Sequence, residues 1–248
     1  MNKVQAKSPL VINITNKVTI LDIANILTTI GASPIMTNDK REVKELLTIA
    51  KAVGGALVIN IGTLDEKQIE LMKEAVKVAN ELEVKVILDP VGAGASKLRT
   101  NTALDLLTNY KIDIIRGNFS EINSLIGNEG QTKGVDSITG TNSEIAKICA
   151  NKYQVTVLIS GKVDFFSNGK IVEEISGGSA YLPKISGTGC MLSSIIGAYA
   201  AVMDNDEACK QGLKHVLQAS EKAQKDVSNI IDFKIAWFRE MENLANGK

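Results

Sequence analysis

A chain of 248 residues suffices for one large domain or two small ones. At this length folding hides roughly 70–75% of the unfolded surface, so a core needs no disulfide or metal staple. Hydrophobic residues make up 44% and charged residues 23%, as in ordinary globular proteins, and 28 Lys+Arg balance 28 Asp+Glu. That balance excludes the basic footprint of a nucleic-acid binder and argues against disorder or attraction to an anionic membrane surface. Five Phe, four Tyr and one Trp are too few for base-stacking platforms.

Taken in chain order, short β-type runs alternate with longer helical patterns. Leu10–Ile14, Ala56–Ile61, Val84–Leu88, Ile112–Ile115 and Val155–Ile159 are apolar, mostly β-branched and bounded by polar or Gly signals. Continuous rather than alternating hydrophobicity suits parallel strands buried on both faces. Between them, Asp65–Glu83 repeats Ile69, Met72, Val76 and Ala79 at helical spacing, with Asp65 placed to cap. Val18–Ile30 is apolar nearly all round, with a thin polar stripe of Asp22, Asn25 and Thr29. Two readings stand for it: a helix buried in the core, or one covered on its far side by another subunit. Late in the chain, Val163–Ser167 and Lys170–Ile175 flank Asn168-Gly169, a hairpin signal. Helical stretches follow at 189–203, 206–228 and 232–246. Strand–helix alternation without a linker or repeat predicts one α/β domain over residues 1–248, with a mostly parallel sheet and a late antiparallel hairpin.

Cys149, Cys190 and Cys209 form no CxxC pair, which fits a reducing compartment. The N-terminal MNKVQAKSPL lacks the apolar core of a signal peptide, and Met191–Met203 is too short to span a bilayer and carries Ser193 and Ser194. The cytoplasm is therefore expected, without a membrane partner. The only histidine, His215, lies in a Lys-flanked helical stretch and reads as a surface residue.

In open α/β sheets ligands bind beyond the carboxyl ends of the strands. The residues there are Asn13–Asn16, Asn60–Thr63, Asp89–Gly94, Arg116–Asn118 and Ser160–Lys162. Five ends made of amide, acidic, basic or small residues indicate a polar cleft. The sharpest local signal is Ser186-Gly187-Thr188-Gly189-Cys190 before an apolar helical run. Glycines there let backbone N–H groups converge at a helix N-terminus, which favours an anion such as phosphate. No GxxxxGK(S/T) occurs, and Gly92-Ala93-Gly94-Ala95-Ser96-Lys97 lacks the third glycine of a dinucleotide fingerprint. Asp89, before Pro90, and Glu121, three residues after Asn118, are the candidate magnesium carboxylates. Glu121 reads equally well as a capping-box partner of Asn118, and the two roles are compatible. Arg116, at the tip of a buried strand, suits phosphate oxygens.

Taken together, INITN (12–16), GASPIM (31–36), INIGTL (59–64), DPVGAGAS (89–96), RGNFSEI (116–122), KGVDS (133–137), SGKVDFFSNG (160–169) and SGTGC (186–190) resemble the hydroxyethylthiazole kinase family, a thiamine-pathway branch of the ribokinase-like superfamily. Ser160 and Ser186 stand where that family often has Thr, which keeps a hydroxyl. The resemblance implies a ribokinase-like three-layer sandwich and ATP-dependent phosphorylation of a thiazole's primary alcohol with Mg²⁺. It places Arg116, Ser160, Asn118 and Gly189 on ATP, and Met36, Gly187 and Asn13 on the thiazole. Asp89 and Glu121 serve the metal, and Cys190 lies beside the reacting hydroxyl, as a base or as a residue that merely fits. It further implies a homotrimer whose sites lie at subunit seams. A kinase for the pyrimidine half of thiamine, or a nucleotide-binding regulator without catalysis, are the competing readings.

Overall fold

The computed structural model describes residues 2–127 and 141–248; the KGVDS segment lies outside them. The continuous apolar runs become strands with both faces covered. In β1 (Leu10–Ile14) the side chains of Leu10, Ile12 and Ile14 enter one core and Val11 the other. The same alternation repeats in β3 (Gly55–Asn60), β4 (Lys85–Asp89), β5 (Ile114–Asn118) and β6 (Thr156–Ser160). With β2 (Ser33–Met36), β7 (Asp164–Ser167) and β8 (Val172–Ile175) they form one sheet of order β2-β1-β3-β4-β5-β6-β7-β8. Strands β1 to β6 pair in parallel, and the β7–β8 hairpin adds antiparallel. At the hairpin turn Asn168 Oδ1 accepts from the N–H groups of Lys170 and Ile171, both at 3.0 Å, and Gly169 takes φ +85°.

Helices form the two outer layers. One face carries α3 (Val43–Val53), α4 (Glu66–Glu81), α5 (Lys97–Asn109), α6 (Phe119–Ile126) and α7 (Asn142–Tyr153). The other carries α1 (Lys3–Lys7), α2 (Ile20–Thr29), α8 (Thr188–Ala200), α9 (Asn205–Ala223) and α10 (Ile230–Ala245). Asp65 caps α4 as its sequence position predicts, accepting from Gln68 N–H at 2.8 Å. From β1 the chain steps outward to β2, returns to β3 on the other side of β1, and then runs steadily toward β6. That reversal opens a crevice beyond the ends of β1 and β3.

The structure adds one strand and changes two sequence expectations. β2 is a short edge strand containing Pro34, and its four residues carry no continuous β-branched run. Helix α2 is not enclosed by this chain: Ile23, Ile26 and Leu27 are buried, while Leu21 and, just before the helix, Val18 are 70% and 72% exposed. Asp22, from its polar stripe, instead bonds Lys234 Nζ on α10 at 2.7 Å. His215 is buried rather than on the surface, because α9 turns that side toward α8 and α10.

Candidate active site

Helix α8 is the axis of the site. Every residue from Met191 to Ala200 is buried, so the helix runs beneath the sheet with its N-terminus at the crevice. Small side chains permit this approach: a Cβ on Gly197 would come within 2.6 Å of Val58 Cγ2. At the N-terminus Gly187 takes φ +86°, and no side chain caps the helix. The first-turn N–H groups thus have no side-chain acceptor from the N-cap, the geometry expected of the SGTGC turn. Thr19 packs against Gly187 so closely that a Cβ there would meet Thr19 Cβ at 3.0 Å.

A chain of polar side chains links the strand ends. Asn16, after β1, donates through Nδ2 to Asn60 Oδ1 at 2.9 Å and to Cys190 Sγ at 3.4 Å. Asn60, ending β3, donates to Asp89 Oδ2 at 2.8 Å, and Ser193 Oγ donates to the same oxygen at 2.8 Å. Arg116 Nη1 lies 3.9 Å from that oxygen, and Nη2 bonds Ser160 Oγ. The guanidinium lies directly over Gly189, where a Cβ would collide with it. Asp89 Oδ1 and Arg116 Nε, both buried, have no hydrogen-bond partner among the described residues. Burial pushes the Asp89 carboxyl up to about 6, against the pull of Arg116 and with a push from Glu121. Burial also raises the Cys190 thiol, and the charge of Asp89 adds to the effect.

Glu121 performs the capping-box role: Oε2 accepts from Asn118 N–H at 2.8 Å, and Asn118 Oδ1 accepts from Glu121 N–H at 3.0 Å. Its Oε1 accepts from Gly92 N–H at 2.9 Å, which ties the Pro90–Gly94 turn to β5. Each oxygen retains a lone pair for a cation or its water.

Beside Arg116 opens a cleft of about 710 Å³. Its polar end includes Ser160, Lys162 and Gly189, with Leu192, Leu213, Val216 and Leu217 among the residues of its apolar wall. Asp164, also lining it, is pushed by burial to about 6 while accepting from Gly161 N–H at 3.0 Å.

The structure therefore brings together Asp89, Glu121, Arg116, Asn118, Ser160, Gly187, Gly189 and Cys190. Asn118 is exposed, beside Ser160 in the β5–β6 register. Met36 is half-buried at the end of β2, in register with Asn13. Asn13 itself is spent internally: Oδ1 accepts from Ser194 Oγ at 2.8 Å and Nδ2 donates to Val11 O at 3.0 Å. With 1% exposure it fastens α8 to β1 rather than reaching into the cleft. Residue types alone do not point to Ser193 as part of this network; its one signal is a hydroxyl in an apolar helix, about one turn after Cys190.

A family model described as the hydroxyethylthiazole kinase family matches residues 1–246. A hydroxyethylthiazole kinase of Methanococcus vannielii is 47% identical over 216 residues, 86% of this chain and 80% of the relative. Among solved structures, a hydroxyethylthiazole kinase protein from Pyrococcus horikoshii OT3 is similar with a TM-score of 0.89 and 35% identity, covering 97% of this chain and 90% of that one. A ribokinase-like superfamily protein from Enterococcus faecalis V583 shares the fold, with a TM-score of 0.68 at 13% identity, covering 98% and 89%.

Proposed function

Because the chain belongs to the hydroxyethylthiazole kinase family, we propose that the cleft around Asp89, Arg116, Gly189 and Cys190 is where its reaction takes place. The enzyme uses ATP to phosphorylate the primary alcohol of hydroxyethylthiazole. The observation that carries the site assignment is Arg116 laid over Gly189 at an uncapped helix N-terminus, facing Asp89.

Phosphoryl transfer spreads charge over the equatorial oxygens and asks the protein mainly for alignment and neutralisation. Arg116, Ser160, Asn118 and the N–H groups around Gly189 hold the nucleotide's phosphates. The acceptor lies across the α8 N-terminus, between Gly187 and Met36. Burial and the charge of Asp89 raise the Cys190 thiol and so favour its protonated form, which suits it to orient the acceptor hydroxyl through a weak hydrogen bond. Asn16 holds that sulfur in place. Magnesium fits the donors present: Asp89 Oδ1 is buried without a partner, and Glu121 keeps free lone pairs. Mg²⁺ is usually held by one or two carboxylates plus phosphates and waters, so Asp89 and Glu121 suffice. When bound, the ion neutralises charge on the transferring phosphates.

We further infer a homotrimer with seams at these sites, in a cytoplasmic enzyme made of one kinase domain. No helix among the described residues is long and apolar enough to cross a membrane. Val18 and Leu21 on the α2 side and Ile231 and Ile235 on α10 are 62–72% exposed, an apolar surface flanking the Asp22–Lys234 pair that a second subunit would cover. With Met36 supplied by one subunit and Gly187–Cys190 by its neighbour, mixing inactive Met36→Arg and Gly189→Val proteins under subunit exchange should restore some activity; a monomer by sedimentation would overturn the seam.

The test of function is turnover of Mg-ATP with a panel of alcohols. Hydroxyethylthiazole should be phosphorylated far better than hydroxymethylpyrimidine, sugars or pyridoxal. Equal turnover of the pyrimidine alcohol would shift the substrate, and ATP hydrolysis with no phosphorylated acceptor would break the site assignment.

A further inference from the structure

One segment of the cleft wall owes its shape to residues outside the cleft. Between β8 and the 3-10 turn at Leu182–Lys184, residues 177–180 line the cleft as a strap without regular structure. It cannot hold itself, because Gly177 and Gly178 take φ +140° and +86° and have no side chain with which to pack. Two neighbours on α9 hold it instead. Glu221 Oε1 accepts from Gly178 N–H at 2.7 Å, and Ser220 Oγ accepts from Ser179 N–H at 3.0 Å. Ser220 is fully buried and donates its own proton to Leu217 O at 2.7 Å, so its lone pairs face the strap. The fit is tight: a Cβ on Gly178 would come within 2.7 Å of Leu217 Cδ2. Leu217 is itself part of the cleft's apolar wall.

The apolar wall suits the flat base of a nucleotide whose phosphates lie at Arg116 and Gly189. We propose that Glu221 and Ser220 are positioning residues for the nucleotide base: by clamping the strap of residues 177–180 they set the width of the slot against Leu213 and Leu217. This rests on the nucleotide reading of the cleft. Neither residue touches the phosphates or the acceptor, so the clamp acts on ATP affinity and base preference and leaves the transfer step alone.

The carboxylate contributes an acceptor rather than a charge, and that distinction makes the idea testable. In Glu221→Ala the KM for ATP should rise by up to roughly tenfold, the upper range for losing one ordinary hydrogen bond. The kcat at saturating ATP and the KM for the thiazole alcohol should hold. Glu221→Gln keeps an oxygen for Gly178 N–H and should recover most of the affinity, which separates the clamp from long-range electrostatics. Ser220→Ala should shift the KM for ATP in the same direction. Inhibition by tripolyphosphate, which has no base, should be unchanged in all three proteins. An unaltered KM for ATP in folded Glu221→Ala, or equal losses for tripolyphosphate and ATP, would overturn the clamp. If the parent enzyme itself does not use ATP, the nucleotide reading fails first, and that result is distinct from a parent that uses ATP and a variant that matches it.

Discussion

Helix α8 has a buried polar network at each end, and they differ in one respect. At the C-terminal end Tyr199 OH lies 2.8 Å from His215 Nδ1, and His215 Nε2 lies 2.9 Å from Met241 O. A carbonyl only accepts, so Nε2 carries the proton, Nδ1 accepts from Tyr199, and the Tyr199 oxygen accepts from Asn2 Nδ2 at 3.1 Å. Every group there has its partner. At the N-terminal end Asp89, Asn60, Ser193 and Arg116 are as deeply buried, yet Asp89 Oδ1 and Arg116 Nε have no partner among the described residues. Buried orphans are costly and therefore rare. The satisfied network ties helices together; the unsatisfied one leaves open the hydrogen-bonding groups that the proposed site would offer to an arriving substrate.

The sharpest break of this comparison is Asp89→Asn. Losing that carboxylate should lower kcat by about a thousandfold, the upper range for one preorganised electrostatic group. Stability should move the other way. The folded pKa is raised from 3.8 to about 6, so the native state binds more protons than the unfolded chain between those values, and ionised Asp89 costs stability above pH 6. In metal-free buffer Asp89→Asn should melt above the parent at pH 8, with the gap closing by about pH 4. A variant that melts lower at pH 8 would mean Asp89 is structural, like the network at the other end.

Gly189→Val ranks next. Its Cβ would displace the Arg116 guanidinium, so kcat should fall about a hundredfold while the circular dichroism spectrum holds. Near-parental kcat would remove the helix N-terminus from the chemistry.

Cys190 should matter less. With its thiol pKa raised, Cys190→Ser and Cys190→Ala should stay within about tenfold of the parent, the loss of one weak hydrogen bond. Cys190→Asp should be worse than either, because a second carboxylate would face Asp89. A faster Cys190→Asp enzyme would instead establish a proton acceptor at this position.

At the satisfied end the effect on turnover should be smallest. His215→Leu should leave kcat unchanged but cost roughly 1–3 kcal/mol, since Tyr199 OH and Met241 O lose a buried partner. Burial lowers the His215 pKa below 6.5, so below that pH the unfolded chain binds the extra proton. The parent's stability from His215 is present above pH 6.5 and is lost as pH falls, and the leucine variant should lack that component. Chemical denaturation at pH 8 and pH 5.5 reads both effects.

Much of this molecule was legible locally. β1 falls on Leu10–Ile14 as its β-branched run predicts; β3, β4 and β6 lie one residue from theirs, and β5 ends three residues beyond its own. The Asp65 cap, the Asn118–Glu121 box and the Gly187 turn depend only on neighbours within one helical turn, which is why residue types alone reveal them. What the sequence could not disclose is which distant groups meet. Ser193 reaches Asp89 across 104 residues, and Asn16 reaches Cys190 across 174. Those meetings follow from the order of the strands and from how deeply α8 lies beneath them. The same layer geometry turned His215 inward although Lys214 precedes it, and it spent Asn13 on Ser194 although it stands among the polar strand ends. Hydrophobic period and cap chemistry are short-range and set the elements; a polar side chain's partner is set by which layer it faces, and that is decided only when the sheet and its helices pack.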